Sequence, residues 1–372
     1  MKIIYPDYNN CLVNVSSSLL KYYGIEPNHN SLKELDKYLE KDYKNVVLIL
    51  YDGFGSNLLT KNLGKESFLF KNKIKDITSV FPATTTSATT SLITGLTPIE
   101  HCWLGWNIYI KSIDKTVTMY WNVEKGTDKK VADYSICKKE FPYISIMDKI
   151  NKTNNAKAYC ISPYEGINYD IEELDDMYSK INELCKNNER KFIYVYCNQP
   201  DHIMHDLGVD DIKVTETMKM LNQKTEQLCE KLEDTLIIII ADHGHITAGD
   251  YIVLDNYPKL KDMLVRETSL EPRATNFFVK EGMLEDFKNE FNKLFSNDFI
   301  LLSKKEVLDK KLFGSGIPHK KFDSCLGDYL ALPITDKVIV DVHDEDPLKG
   351  IHGGISEEEV LIPLIVVDKK II

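Results

Sequence analysis

Arginine is almost missing from this chain: Arg190, Arg266 and Arg273 are the only three among 372 residues. No Lys/Arg-dense block or stripe compensates, and 57 acidic residues against 46 basic ones leave a net charge of −11. A duplex nucleic acid, whose phosphates call for a continuous basic surface, is therefore excluded as the main partner. The scarcity itself, beside abundant lysine, asparagine and isoleucine, reads as composition bias and carries no mechanism. The eight cysteines include no C-x-x-C pair, which removes zinc-ribbon and thioredoxin-like sites and leaves reduced, mostly buried thiols as the expectation. No G-x-S-x-G elbow and no Walker A motif occurs, so serine-hydrolase and P-loop readings lose their main support. No apolar run reaches bilayer-spanning length, and Met1 to Tyr8 contain no apolar leader and no small-residue cleavage site. The expectation is a protein with no membrane partner and a cytoplasmic location.

What the chain does have is three short, unbroken apolar runs that each lead to an aspartate. Val46 to Tyr51 ends at Asp52, Phe192 to Tyr196 precedes Asp201, and Leu236 to Ala241 ends at Asp242. Runs of this length and continuity read as strands buried on both faces, hence a mostly parallel sheet covered by helices. Ligands of such sheets sit beyond the carboxyl ends of the strands, which is where these aspartates fall. The hydrophobic fraction of 43% is ample for a large core.

Helix and strand patterns alternate from Val46 to Asp242, as in a doubly wound α/β fold. Pro82 takes the chain out of the sheet after Ser79-Val80-Phe81, and a helix with hydroxyl residues at its start runs from Thr84 to Thr94, stopped by Gly95. Ile108 to Asn122 reads as a β-hairpin. Between Tyr251 and Ala331 the pattern changes to a compact α+β alternation. We therefore expect a catalytic α/β core over residues 1–250 and 332–372, with an inserted α+β cap over 251–331. The central sheet is expected to resume at Lys337 to Val340 and again at Val360 to Val367. There is no internal repeat.

Asp201 and His205 are four residues apart, so a helix puts both on one face within reach of one ion. Asp242-His243-Gly244-His245 follows a fully apolar strand, with a glycine that permits close backbone approach. His202 and His245 read as residues behind the site or on the surface. His352, in Gly350-Ile351-His352-Gly353-Gly354, would be a loop histidine on its own, and Asp52 a turn or N-cap aspartate. Thr84, Thr85 and Thr86 sit at a helix start, where the dipole favours a phosphate or a developing alkoxide and coordination to a divalent ion can activate a hydroxyl. Capping alone would also explain all three.

Taken in order, Val46 to Gly53, Phe81-Pro82, Thr94 to His101, Asp201 to His205, Asp242-His243-Gly244 and His352-Gly353-Gly354 resemble the alkaline phosphatase superfamily. Within it they resemble the type I phosphodiesterase/nucleotide pyrophosphatase family. The resemblance implies two divalent ions, commonly zinc. Asp52, Asp242, His243 and the nucleophilic hydroxyl would hold one, and Asp201, His205 and His352 the other. The family's nucleophile lies ten residues before the glycine of the Thr-Gly pair, which from Gly95 gives Thr85. The chain departs from the pattern in two places. Thr85 is followed by Thr86-Ser87-Ala88 rather than Phe-Pro-Asn, and Asn107, the nearest match to the phosphoryl-binding asparagine, is one position off.

Three aspartates with neutral histidines leave two dications only partly neutralised, so an anionic phosphoryl group can bridge them. The expectation is a metal-dependent hydrolase of phosphoric esters acting on a small-molecule phosphate ester or nucleotide. A phosphodiesterase or nucleotide pyrophosphatase working through a phospho-threonine is favoured. The rivals are a phosphonate hydrolase, a phosphomonoesterase or a mutase of the same superfamily, and, from another class, a non-catalytic metal-containing binding protein. Oligomeric state leaves no trace in the sequence.

Overall fold

The computed structural model describes residues 1–171 and 173–370. Glu172, and Ile371 and Ile372 at the end of the expected core segment, lie outside the described residues. In chain order the strands are β1 (Asn45–Tyr51), β2 (Lys73–Thr78), β3 (Asn107–Ile110), β4 (Lys115–Thr118), β5 (Val123–Glu124), β6 (Lys157–Ile161), β7 (Lys191–Cys197), β8 (Thr235–Ile240) and β9 (Ile246–Thr247). They continue with β10 (Tyr251–Val253), β11 (Ser269–Glu271), β12 (Ala274–Phe277), β13 (Phe299–Ser303), β14 (Tyr329–Pro333), β15 (Val338–Val340), β16 (Gly350–Ile351) and β17 (Leu361–Lys369).

The three apolar runs form the middle of a six-stranded sheet of order β2-β17-β8-β1-β7-β6. β1 is parallel to both neighbours, with Val46 opposite Phe192 on one side and Leu236 on the other. Every residue from Val46 to Tyr51 is fully buried, each large side chain contributing roughly 1.5–3 kcal/mol of burial. Only β17 runs antiparallel, between β2 and β8.

Two groups of helices cover the sheet. Helix Leu12–Tyr22 packs on helix Thr85–Thr94, with Ser16 Oγ donating to the Leu92 carbonyl at 2.5 Å. Helix Ile212–Lys231 packs with Ser56–Leu63 and Leu174–Lys186, where Tyr51 Oη meets Tyr178 Oη and Thr225 Oγ1 at 2.7 and 2.6 Å. The fold is thus a mixed α/β architecture with a mostly parallel central sheet.

A second, antiparallel sheet has the order β13-β14-β12-β11-β3-β4-β5. The hairpin read at Ile108 to Asn122 is present as β3–β4, and it joins the strands of the 251–331 segment through β11, where Leu270 faces Asn107. The run Lys337 to Val340 does not rejoin the central sheet: β15 pairs with β10 in a separate two-stranded sheet. Three apolar residues suffice for that small pairing but not to span a central sheet, whose inner strands here are six to nine residues long.

Candidate metal centres and nucleophile

The parallel register of β8, β1 and β7 sets their carboxyl ends side by side, so the segments that follow share one rim. Asp52 directly follows β1, Asp242 comes two residues after β8, and Asp201 opens the helix Asp201–Leu207 beyond β7. Backbone bonds lock these segments together: Asp201 N–H donates to Asp52 O at 3.1 Å, and Gly53 N–H to Asp242 Oδ1 at 3.1 Å. Gly53 lies at φ +70°, and a Cβ there would meet Met204 Cε at 2.9 Å and Asp201 Cβ at 3.0 Å. Only glycine lets the Asp52 turn approach the Asp201 helix so closely. Gly244 plays the same part on the other side, since a Cβ on it would fall 1.9 Å from the Glu358 carbonyl oxygen.

Asp52, Asp242 and His243 form one cluster whose candidate ligand atoms lie within 4.8 Å of one another. His243 Nε2 is 3.2 Å from Asp52 Oδ1 and 3.6 Å from Asp242 Oδ2. Thr85 Oγ1 joins it, 3.2 Å from His243 Nε2 and 3.5 Å from Asp52 Oδ2. Of the three threonines at the helix start, Thr85 is the one whose hydroxyl meets the cluster. Thr84 donates instead to Glu271 Oε1 at 2.7 Å, and Thr86 is buried with no side-chain partner among the described residues. Helix Thr85–Thr94 makes its first bond from Ala88 N–H to Thr84 O, which leaves the N–H groups of its first turn pointing out past Thr85.

The second cluster holds Asp201, His205, His245 and His352, again within 4.8 Å. Asp201 Oδ2 is 3.2 Å from His205 Nε2, and Asp201 Oδ1 is 3.0 Å from His245 Nε2 and 3.7 Å from His352 Nε2. The clusters adjoin, for the rings of His243 and His352 stack at 3.7 Å. Asn107 opens β3, where its Oδ1 accepts from Thr118 Oγ1 on β4 at 2.8 Å.

Three residues that the sequence did not single out for the site also belong here. His245 is brought in by the pairing of β9 with β16, whose register (Ile246 opposite Ile351) sets His245 facing His352. Alternation along Asp242-His243-Gly244-His245 was the available signal. Tyr196 donates from Oη to Asp52 Oδ2, and Glu271 accepts from both Thr84 Oγ1 and the Trp106 N–H, at 2.7 and 2.6 Å. Neither had a sequence signal, since both arrive from distant segments.

The donor set fits divalent cations. Each of the four histidines turns Nδ1 to a backbone carbonyl: His205 to Gly350 at 2.8 Å, His243 to Gly244 at 2.9 Å, His352 to Ala83 at 3.2 Å and His245 to Ile246 at 3.4 Å. This leaves the Nε2 lone pairs facing the clusters, the orientation a metal-binding imidazole needs. Asp52 Oδ1, Asp242 Oδ2, Asp201 Oδ1 and His245 Nε2 are buried with no hydrogen-bond partner among the described residues. Buried acceptors without a donor are costly unless a cation satisfies them.

The protonation equilibria show the same strain. Burial, and then the neighbouring Asp52 charge, hold the Asp242 carboxyl well above its usual range. Burial opposes charge on His243, yet the Asp242 and Asp52 carboxylates overcome it and raise the ring to about 10. His205, desolvated but beside Asp201, rises to about 9. Burial and the neighbouring His243 keep His352 well below the usual range, and burial likewise lowers His245.

A rim of carboxylates and imidazoles at the strand ends of this sheet, with a hydroxyl at a helix N-terminus beside it, defines a member of the alkaline phosphatase superfamily. The model of the type I phosphodiesterase/nucleotide pyrophosphatase family matches residues 46–307, and the chain belongs to that family. It is accordingly a phosphoester hydrolase of a metal-dependent family. Similar solved structures include an inactive variant of murine ectonucleotide pyrophosphatase/phosphodiesterase 5 in complex with AMP (TM-score 0.65, 17% identity, 87% of each chain). The human ectonucleotide pyrophosphatase/phosphodiesterase 5 gives a TM-score of 0.66 at 18% identity over 86% of this chain and 87% of that one. Phosphonoacetate hydrolase from Sinorhizobium meliloti in complex with phosphonoformate gives 0.64 at 14% identity over 87% and 90%. At these identities the likeness is one of fold. No curated protein matches the chain in sequence. No described helix is long and apolar enough to cross a membrane.

Proposed function

We propose that the protein hydrolyses phosphodiesters or nucleotide pyrophosphates through a phospho-threonine on Thr85. The observation that supports this reading is the position of Thr85 Oγ1, 3.2 Å from His243 Nε2 and 3.5 Å from Asp52 Oδ2 at the N-terminus of a ten-residue helix. Asp52, Thr85, Asp242 and His243 would hold one divalent ion, and Asp201, His205 and His352 another, zinc being the expected metal. Such ions supply charge that binds phosphoryl oxygens and lowers the pKa of a coordinated hydroxyl.

The rest is done by the chain itself. Asp52 Oδ2 accepts the Thr85 hydroxyl hydrogen bond, so the oxygen lone pairs stay free to attack phosphorus in line with the leaving oxygen. The Thr85–phosphorus bond forms as the bond to the leaving oxygen breaks, and the threonine proton ends on the departing alcohol or phosphate. The first-turn N–H groups of the helix meet the negative phosphoryl oxygens. Water then cleaves the phospho-threonine and restores the hydroxyl. Tyr196 holds Asp52 through its hydrogen bond, and Glu271 braces Thr84 against Trp106. Tyr120 lies over this helix, its Oη 3.4 Å from Thr89 Oγ1, and its ring meets that of Trp106 at 5.7 Å. An aromatic wall beside the nucleophile suits a substrate with a flat leaving group, such as a nucleotide. The eight free cysteines suit a cytoplasmic setting.

Thr85→Ala should abolish hydrolysis of bis-p-nitrophenyl phosphate while the protein keeps its metal content. Normal turnover by that variant refutes the nucleophile assignment. A panel adding p-nitrophenyl phosphate, a dinucleotide and phosphonoacetate separates diesterase from monoesterase and phosphonate hydrolase, and preferential cleavage of phosphonoacetate overturns the diester reading.

A further inference from the structure

We propose that His245 is a fourth protein ligand of the centre formed by Asp201, His205 and His352, so that this ion is held by a three-histidine, one-carboxylate set. The proposal rests on the two-centre reading above and adds a residue to it.

His245 is 2% exposed, and its Nε2 has no hydrogen-bond partner among the described residues. It lies 3.0 Å from Asp201 Oδ1, an oxygen that is itself buried and unpartnered. With Nδ1 turned to the Ile246 carbonyl, the Nε2 lone pair faces that carboxylate oxygen. Two lone pairs so close repel each other unless a proton or a metal ion lies between them. The remaining members surround the same point: the His245 ring centroid is 4.8 Å from that of His205 and 5.2 Å from that of His352. A tetrahedral zinc site with arms of about 2.0–2.1 Å has edges of roughly 3.3 Å between donor atoms. The separations from Asp201 Oδ1 to His245 Nε2 and His352 Nε2, 3.0 and 3.7 Å, bracket that edge, and His205 Nε2 lies 3.2 Å from the other oxygen, Oδ2.

The backbone holds this arrangement in place. β9 begins one residue after His245 and β16 ends one residue before His352, so their antiparallel register carries both rings to the same side of the site. A Cβ on Gly350 would fall 2.8 Å from His245 Cε1 and 2.3 Å from the Met204 carbonyl, so glycine at that position gives the ring its space. Four protein donors are the number a tetrahedral zinc takes, and a phosphoryl oxygen can still join as a fifth, as catalytic zinc permits. The cluster of Asp52, Asp242 and His243 has fewer imidazoles and has the Thr85 hydroxyl beside it. The two centres therefore differ in donor set, one rich in imidazole and one completed by the nucleophile.

The test is metal binding by the full chain, with stoichiometry from elemental analysis, affinity from chelator competition and the visible spectrum of the cobalt(II)-loaded protein. His245→Ala should bind its second equivalent roughly 100-fold or more weakly, beyond the 10–100-fold usual for a residue that only orients a ligand. It should also lose part of the tetrahedral cobalt band while keeping the first equivalent. His245→Gln, which retains a hydrogen-bond donor for Asp201, should behave like His245→Ala. If His245→Gln binds two ions with wild-type affinity, His245 only positions Asp201 and the proposal falls. If both variants keep wild-type affinity and spectrum, it falls outright. Failure of the wild-type protein to bind two ions would instead overturn the two-centre reading itself. Where His245→Ala does not fold, His245→Gln by itself separates a ligand from a positioning residue.

Discussion

Arg273 is fully buried, and its guanidinium makes four hydrogen bonds to oxygen. Nε and Nη2 grip Glu359 Oε1 and Oε2 at 2.7 and 2.8 Å, and Nη1 donates to the carbonyls of Thr335 and Lys337 at 3.1 and 2.9 Å. Glu359 in turn accepts from the N–H groups of Gly354 and Ser356 at 2.8 and 3.3 Å, just beyond His352. Burial works against the Glu359 charge, but Arg273 more than offsets it and keeps the carboxyl below its usual range. Arg273→Met keeps most of the volume and leaves that carboxylate buried without its cation, which costs about 3–5 kcal/mol. With an unfolding entropy of about 2 cal/mol/K per residue over a chain this long, a loss near 4 kcal/mol lowers Tm by roughly 5 °C. Scanning calorimetry of metal-loaded protein reads this directly, and the centre containing His352 should weaken along with it. Arg273→Lys should recover little, because an ammonium cannot span the carboxylate and two carbonyls as the planar fork does. Adding Glu359→Gln to Arg273→Met should restore part of the loss by removing the stranded charge. A fall of less than about 1 °C, or no benefit from the second change, would refute the view that an uncompensated buried charge sets the cost.

Two further outcomes follow from the site. Burial raises the Glu271 carboxyl from its ordinary 4.5 to about 7, with the Thr84 hydrogen bond pulling the other way. Its contribution to stability is thus fully present below pH 4.5 and is lost as pH rises through 7. At ~1.4 kcal/mol per pH unit this amounts to about 3 kcal/mol, so Glu271→Gln should flatten that part of the pH profile of metal-stripped protein in urea unfolding, and an unchanged profile counts against it. Tyr196→Phe removes the hydrogen bond that orients Asp52, and chelator competition should show metal bound about 10–100-fold more weakly, as is usual when such a partner is lost. Wild-type affinity would show that Asp52 is held without Tyr196.

The central sheet was legible because burial on both faces forces an unbroken apolar run, and three such runs ending in aspartates mark one rim. Asp52, Asp201 and Asp242 could be read from this, and His205 and His243 from their spacing to them. His352 could be drawn in only through the resemblance to a family, since it stands some hundred residues further along, just past a short strand that has no pattern of its own. His245 was passed over because its place depends on a two-residue pairing between β9 and β16. The second sheet was legible only in part. Its strands are two to five residues long, and the link between β3 and β11 rests on the one pair Leu270 and Asn107, which no local pattern announces. The same brevity made Val338 to Val340 look like part of the main sheet.

The position of β17 has a consequence for synthesis. It inserts between β2 and β8 rather than adding to an outer edge, so the sheet stays split until the chain has been made through Lys369. At about 5–20 residues per second, roughly 15–60 s separate the emergence of β1 from that of β17. Once made, β8 presents an open hydrogen-bonding edge of almost pure isoleucine until β17 arrives, and for most of that wait the last histidine of the site, His352, has not yet been made. Assembly of the candidate metal clusters and closure of the sheet are therefore events of nearly the same moment.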